Sequence, residues 1–226
     1  MDVQAFLADL DAWAEDREPG FGRRAYGEHP DQVVDVRPGG ARVAILVHGG
    51  FWRPMFTRAN TRALAVDLAL RGWTTWNVEY RRSGVVDTLA DVEAALDLIG
   101  GGVTIGHSAG GHLALWAAGT GKVDAAVGLA PVTDLARAAR EGIGAGAAVA
   151  FAGKDPPAHA DPMRRLPLRV RVLLVHGTAD DRVPVDYSRS FAAASGCEYL
   201  ELAGAGHFEL LDPRSREWAQ VVERLD

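Results

Sequence analysis

The sequence has little cysteine and no excess of positive charge. Cys197 is the single cysteine among 226 residues, so the chain cannot form an internal disulfide, and no Cys-x-x-Cys pair indicates a metal site. The 24 Lys and Arg residues are outnumbered by 30 Asp and Glu, and the net charge of −6 excludes a strongly basic nucleic-acid-binding protein. We therefore expect no nucleic acid among its partners.

The sequence also lacks the pattern of a secretion signal or a membrane anchor. Acidic residues (Asp9, Asp11, Glu15, Asp16) stand near the start, where a signal peptide has a basic region followed by an apolar one. We therefore expect a cytoplasmic protein with no membrane partner. At 48% hydrophobic and 24% charged residues, the chain has the composition of a globular domain. Its length predicts a single domain over residues 1–226.

Short apolar runs alternate with helical patterns along most of the chain. Most of the runs are apolar on both faces, as the strands of a covered parallel sheet are. They span residues 33–36, 43–47, 74–78, 103–105, 125–129, 170–175 and 198–202. Helical patterns occur at residues 59–71, 88–99, 109–119, 132–140, 185–195 and 215–224. The alternation predicts an α/β fold with a mostly parallel central sheet and helices on both faces.

Two segments lie outside this alternation. Residues 1–20 contain an amphipathic pattern that predicts an N-terminal helix ending before Pro19-Gly20. Residues 141–167 are rich in glycine and proline. They are predicted to form either a short lid over a site at the carboxyl edge of the sheet or a plain crossover connection. Neither segment predicts a second domain.

A Gly-His-Ser-Ala-Gly pattern follows the predicted strand at 103–105 and precedes a helical run. Because Gly106 and Gly110 have no side chains, the backbone can turn sharply enough to lift the Ser108 hydroxyl above the sheet. The amide of Ala109 and the helix N-terminus then face an incoming oxyanion. This placement favours a catalytic serine over a structural glycine-rich turn.

A serine nucleophile needs a base to take its proton and a third group to orient that base. The chain offers Asp180 and then His207, each just after a predicted strand, in the order serine, aspartate, histidine. Asp181 and Asp134 are alternative carboxylates. Asp180 is favoured over Asp181 because Val183-Pro184 is predicted to begin the next helix, which leaves Asp181 nearer to solvent.

The predicted strand at 43–47 ends in His-Gly-Gly-Phe-Trp. Its two glycines let main-chain N–H groups turn toward the serine, so the amides of Gly50 and Phe51 are candidate oxyanion donors together with Ala109. His48 is predicted to hold this loop through hydrogen bonds. No histidine spacing typical of zinc is present, so we expect neither a metal nor another cofactor.

Three aromatic residues, Trp52, Phe56 and Tyr80, are candidate substrate-binding walls. Aromatic residues at strand ends are also typical of the core, and both interpretations stay open. If Phe51 and Trp52 close the pocket beside the scissile carbonyl, the sequence predicts a preference for short acyl groups. If Trp52 packs beneath the loop instead, its truncation is predicted to cost stability and to leave acyl preference unchanged.

Five motifs together resemble the α/β-hydrolase superfamily. They are His-Gly-Gly-Phe-Trp, Glu-Tyr-Arg-Arg, Gly-His-Ser-Ala-Gly-Gly, His-Gly-x-x-Asp-x-x-Val-Pro and Gly-x-Gly-His, at residues 48–52, 79–82, 106–111, 176–184 and 204–207. The chain is most similar to the branch that holds kynurenine formamidases (arylformamidases) and hormone-sensitive-lipase-like carboxylesterases, and its Phe-Trp pair is closer to the formamidases. The resemblance implies an α/β-hydrolase fold, and the short chain predicts no large cap domain.

The sequence therefore predicts a serine hydrolase that cleaves a small-molecule carboxylic ester or aryl formamide through an acyl-enzyme. A non-enzymatic binding protein of the same fold, a peptidase and a thioesterase are the alternative functions. A homodimer is a further hypothesis about its partners.

Overall fold

The computed structural model describes residues 2–225 and contains a sheet of eight strands. The strands are β1 Gly22–Ala25, β2 Val33–Arg37, β3 Val43–Val47, β4 Thr74–Val78, β5 Val103–His107, β6 Ala125–Leu129, β7 Arg171–Gly177 and β8 Glu198–Leu202. Their order is β1-β2-β4-β3-β5-β6-β7-β8. The β1–β2 and β2–β4 pairs are antiparallel and the other pairs are parallel. The predicted mostly parallel sheet is confirmed.

Helices cover both faces of the sheet. They are α1 Val3–Arg17, α2 Arg62–Leu70, α3 Val85–Ile99, α4 Ala109–Ala118, α5 Leu135–Glu141, α6 Ile143–Ala152, α7 Asp186–Ser195 and α8 Arg216–Leu225. Because side chains alternate along a strand, Ile45 and Val47 of β3 pack in one core with α3 and α4. Ala44 and Leu46 pack in the opposite core with α1, α2 and α8. Strand β3 is therefore apolar on both faces.

The carboxyl ends of the parallel strands meet at one edge of the sheet. The loops after β3, β5, β7 and β8 leave from this edge, and they carry the oxyanion-loop, serine, aspartate and histidine motifs respectively. The topology thus gathers four segments that lie far apart in the sequence. Among residues 2–225, no helix is long and apolar enough to cross a membrane.

Strand β1 and helix α6 were not predicted from the sequence. All four residues of β1 are exposed, so this antiparallel edge strand has no apolar pattern. Helix α6 lies inside residues 141–167, where Gly144, Ala145 and Gly146 adopt left-handed φ values of 67°, 55° and 79°. Two short 3₁₀ helices, at residues 158–160 and 162–165, follow it. Phe151 and Ala160 bury this segment in the core, so it is an integral part of the domain.

Candidate active site

The turn between β5 and α4 holds Ser108 in a strained conformation, with φ 57° and ψ −118°. A Cβ atom at Gly106 would lie 2.0 Å from the carbonyl oxygen of Gly110, and one at Gly110 would lie 2.1 Å from that of Val47. Both positions therefore require glycine. A positive φ at a non-glycine residue costs about 1 to 3 kcal/mol and persists only where the surrounding fold enforces it. The packing of β3 against α4 enforces it here.

Asp180 and His207 form a buried pair at the same edge of the sheet. His207 Nδ1 lies 2.7 Å from Asp180 Oδ2. The other carboxylate oxygen, Oδ1, accepts hydrogen bonds of 2.8 Å from the backbone N–H groups of Arg182 and Val183. The carboxylate is therefore held from both sides, and it fixes Nδ1 as the donor of the imidazole.

The two alternative carboxylates lie elsewhere. The side chain of Asp181 is 72% exposed and pairs with Arg182 at 3.3 Å. Asp134 accepts a hydrogen bond from the backbone N–H of Arg137 and caps α5. Of these three aspartates, the structure brings only Asp180 to His207.

His176 supports Asp180 from behind, a contact that the sequence did not predict. Its Nε2 lies 3.1 Å from Asp180 Oδ2 and 2.9 Å from the carbonyl oxygen of Val183. The Ser188 hydroxyl lies 2.7 Å from Nδ1 and completes a fully buried chain of polar groups. The signal was available: histidine four residues before aspartate, at the end of a strand.

The electrostatics of this network favour a charged aspartate. Burial alone raises the pKa of Asp180, but hydrogen bonds from His176, His207 and the backbone hold that pKa far below its ordinary value. His107, beside Ser108, donates from Nε2 to the carbonyl oxygen of His207 at 2.8 Å. Burial and the neighbouring His207 lower the pKa of His107 to about 3, so its imidazole is neutral at pH 7.

The loop after β3 turns through consecutive left-handed residues. Gly50, Phe51 and Trp52 have φ values of 112°, 55° and 52°. Within residues 2–225, the backbone N–H groups of Gly50 and Phe51 donate to no protein acceptor, nor does that of Ala109, the first residue of α4. These three amides are the candidate oxyanion donors, and Gly50 and Phe51 line the cavity that Ser108 also lines.

Buried polar residues hold this loop in place. His48 Nε2 lies 3.0 Å from Glu79 Oε1, and the Tyr80 hydroxyl donates to the carbonyl oxygen of His48 at 2.6 Å. The rings of His48 and Tyr80 stack at 4.3 Å. Burial raises the pKa of Glu79, but His48, Arg58 and Arg82 outweigh it and lower that pKa to about 2. Glu79 is therefore an anion in the native state.

A cavity of about 290 Å³ opens beside Ser108. Its walls come from α1, the loop after β3, the turn between β5 and α4, and the loops after β7 and β8. The lining residues are Val3, Gln4, Leu7, Gly49, Gly50, Phe51, Phe56, Asn60, His107, Ser108, Arg182, His207, Phe208 and Leu211. The volume lies at the small end of ligand sites, so the cavity suits a compact substrate.

The three predicted wall residues have different positions. Phe56 lines the cavity, whereas Trp52 and Tyr80 do not. Trp52 is only 5% exposed and stacks on Phe151 at 4.6 Å, so it packs beneath the loop. Tyr80 is fully buried against His48. The substrate-wall prediction is therefore corrected for Trp52 and Tyr80, whose rings are parts of the core.

Residues 141–167, for which the sequence left a short lid and a plain crossover connection as alternatives, lie away from the cavity. The segment at 141–167 contributes no lining residue to the cavity. Instead it lies behind the loop after β3, where Arg53 donates to the carbonyl oxygen of Gly144 at 2.8 Å and the Phe51 ring packs against Gly144. Helix α1 takes the position at the cavity, through Val3, Gln4 and Leu7. Its amphipathic pattern predicted a helix but not which element it would cover.

No group of three or more His, Cys, Asp or Glu side chains in residues 2–225 is placed to hold a metal ion. The candidate site combines the Ser108 hydroxyl, the His207 imidazole with the Asp180 carboxylate, and backbone amides. This set can support nucleophilic attack, proton transfer and stabilisation of an oxyanion.

Comparison with known proteins finds sequence similarity to a peptidase family and to an esterase. The sequence profile of the prolyl oligopeptidase family matches residues 100–196, which include Ser108 and Asp180. The esterase LipC of Mycobacterium tuberculosis is 29% identical over 244 residues, covering 84% of this chain. The chain spans 60% of the length of that relative.

Solved structures agree at the level of the fold. The native structure of the thermophilic esterase Est2 of Thermogutta terrifontis superposes with a TM-score of 0.76 at 22% identity, covering 92% of this chain and 91% of Est2. Its sarin-phosphonylated form gives a TM-score of 0.77 at 20% identity, with 92% and 93% coverage. The chain therefore has the α/β-hydrolase fold.

Proposed function

We propose that this protein is a serine hydrolase that cleaves small carboxylic esters through an acyl-enzyme. One observation carries the proposal: Ser108, held in a strained turn, lines the same cavity as His207, whose imidazole is hydrogen-bonded to the buried Asp180. No other group on the cavity wall, as the structure describes it, combines a hydroxyl nucleophile with an oriented base.

The first half of the reaction forms the acyl-enzyme. Ser108 Oγ attacks the ester carbonyl while Nε2 of His207 takes the hydroxyl proton, and the imidazolium is stabilised by the Asp180 carboxylate. The carbonyl oxygen becomes an oxyanion, for which Gly50, Phe51 and Ala109 supply backbone donors. His207 then gives its proton to the alcohol oxygen as the ester bond breaks.

The second half hydrolyses the acyl-enzyme. His207 takes a proton from water, the resulting hydroxide attacks the acyl carbon, and the acid is released as Ser108 regains its proton from His207. The Asp180 carboxylate stays ionised throughout, in agreement with its depressed pKa. The His176 contact and the two backbone donors hold this carboxylate in position to bond His207.

Short acyl groups are the proposed substrates. The cavity is small, and Phe51, Phe56 and Leu7 occupy its walls. The named relatives support this class, since LipC is an esterase and Est2 has been solved with propionate and with butyrate bound. An aryl formamide is the second candidate, because Phe56 and Phe208 on the cavity wall offer aromatic faces to an aryl leaving group.

The test compares Ser108→Ala with wild type on p-nitrophenyl acetate, butyrate and octanoate and on N-formylkynurenine. We expect wild type to favour acetate or butyrate over octanoate by at least about 10-fold in kcat/KM, and Ser108→Ala to lose at least about 10³-fold in kcat. Ser83→Ala is the control, because Ser83 is an exposed residue bonded to Asp87. An active Ser108→Ala protein refutes the proposal.

Inhibition gives a second test of the same mechanism. A serine-directed organophosphate is expected to abolish activity and to add its mass to Ser108, as detected in the intact protein and its peptides. Exhaustive EDTA treatment is expected to leave the rate unchanged. Loss of activity on chelation, restored by a metal ion, contradicts the assignment.

A further inference from the structure

Among the residues that line the cavity in the part of the chain that the structure describes, Arg182 is the one with a permanently charged side chain. The other lining side chains are apolar, are the amides of Gln4 and Asn60, or belong to Ser108 and the two histidines. Because the pKa of His107 is lowered to about 3, that imidazole adds no positive charge at pH 7. The cavity therefore has a mostly apolar lining to which Arg182 adds a permanent positive charge.

Arg182 is fixed relative to the catalytic groups through its backbone. Its N–H donates to Asp180 Oδ1 at 2.8 Å, so its Cα belongs to the same turn that holds the carboxylate. This hydrogen bond does not depend on the side chain, and it survives any substitution except proline. The guanidinium can therefore be changed without removing the backbone donor of Asp180.

The guanidinium is available to a ligand. It is 42% exposed, and its ionic partner Asp181, at 3.3 Å, is itself 72% exposed. Exposed ion pairs of this kind contribute about 0 to 1 kcal/mol, so a ligand carboxylate can replace Asp181 at little cost.

The position of Arg182 also selects one side of the substrate. His207 gives its proton to the departing oxygen, so the leaving group lies on the His207 side of the scissile bond. Arg182 belongs to the turn that holds Asp180 next to His207, whereas Gly50 and Phe51 belong to the loop with the candidate oxyanion donors. An anionic group on the leaving alcohol is thus the part of a substrate that comes near the guanidinium.

We propose that the natural ester carries a carboxylate on its leaving group and that Arg182 binds this carboxylate. The inference rests on the proposed ester hydrolysis and narrows its substrate class. Gln4 and Asn60 also line the cavity, and their side-chain amides are neutral hydrogen-bonding groups.

The experiment compares matched chromogenic esters. One pair differs on the leaving side, 3-carboxy-4-nitrophenyl acetate against 4-nitrophenyl acetate. The other differs on the acyl side, 4-nitrophenyl hydrogen adipate against 4-nitrophenyl hexanoate. The measured quantity is the ratio of kcat/KM for the acid to kcat/KM for the neutral ester, taken for each enzyme, so that differences in intrinsic ester reactivity cancel between variants.

We expect Arg182→Gln to lower the leaving-side ratio about 10-fold, the low end for a partly exposed charge-assisted hydrogen bond. Arg182→Lys is expected to have a leaving-side ratio between those of wild type and Arg182→Gln. Added salt is expected to reduce the wild-type ratio. Arg171→Gln is the matched control, because it removes the same charge at the start of β7, at the opposite edge of the sheet, and is expected to keep the wild-type ratio.

Two results overturn the proposal. One is an unchanged leaving-side ratio in Arg182→Gln, and the other is a loss confined to the acyl-side pair. Failure of the proposed function is a separate outcome. In that case wild type shows no hydrolysis of either acetate ester that is lost in Ser108→Ala. If wild type hydrolyses both acetates and Arg182→Gln keeps the wild-type leaving-side ratio, the carboxylate inference is wrong while the proposed ester hydrolysis stands.

Discussion

Truncation of Trp52 tests whether its ring belongs to the core or to the substrate pocket. The ring is 5% exposed, stacks on Phe151 with centroids 4.6 Å apart, and meets the edge of His112 at 5.4 Å. Removing a buried aromatic ring of this kind costs about 3 to 5 kcal/mol of unfolding free energy. For a domain of this size that loss lowers Tm by roughly 6 to 20 °C.

A second substitution, Trp52→Phe, tests how much of the unfolding free energy depends on the ring. The Nε1–H of Trp52 is buried and has no acceptor within residues 2–225. An unpaired buried donor of this type costs about 1 to 3 kcal/mol, so Trp52→Phe removes a penalty together with part of the ring. We therefore expect Trp52→Phe to be more stable than Trp52→Ala by at least about 1 kcal/mol.

The assay combines urea unfolding of wild type, Trp52→Ala and Trp52→Phe with a p-nitrophenyl ester series from acetate to octanoate at a temperature where each is folded. Phe21→Ala serves as a control for loss of an exposed aromatic side chain. The expected result is a large loss of stability with an unchanged order of acyl preference. A shift toward longer acyl chains in Trp52→Ala without a loss of stability refutes the core assignment.

Three further outcomes are expected. Asp180→Asn lowers kcat by up to about 10⁴-fold in a p-nitrophenyl acetate assay, whereas Asp181→Asn changes it little; the reverse order would identify Asp181 as the partner of His207. Leu7→Ala enlarges the cavity and raises kcat/KM for hexanoate relative to acetate about 10-fold, and an unchanged ratio would exclude α1 from the acyl side. Glu79→Gln is less stable than wild type at pH 7. Because the pKa of Glu79 is lowered to about 2 in the native state from about 4.3 when unfolded, the ionised residue contributes stability above pH 4.3 that is lost as the pH falls toward 2. Urea unfolding at pH 7 and pH 3 is expected to show the difference between the two proteins narrowing at the lower pH.

Strands buried on both faces were the most predictable part of the fold. The bounds of β3, β4 and β6 match the runs predicted from the sequence, because a strand covered on both faces has few exposed residues to interrupt the pattern. The bounds of the edge strand β8 match as well, although Glu198 and Glu201 are exposed. β1 has two arginines and no buried residue, so only its antiparallel pairing with β2 defines it. In α6, left-handed residues at Gly144 to Gly146 break the start of the helix and conceal its pattern.

The chemical groups of the site were more predictable than its walls. Ser108, Asp180 and His207 follow strand ends, and parallel strands bring their carboxyl ends to one edge. Wall residues depend on which way a side chain points from a loop, and the sequence pattern does not specify that direction. Trp52 turns into the core, and α1 reaches the cavity through contacts with α2 that no local signal reveals.

Helix α1 connects substrate binding to the stability of one end of the domain. Leu10 and Ala14 bury its middle in the core, whereas Val3, Gln4 and Leu7 complete the cavity wall. A ligand that contacts these three residues binds tightly only while α1 is packed on the domain. By thermodynamic linkage, the bound ligand therefore stabilises the packed position of α1. Hydrogen exchange of the α1 amides therefore reports occupancy of the cavity, even for a compound that is never hydrolysed.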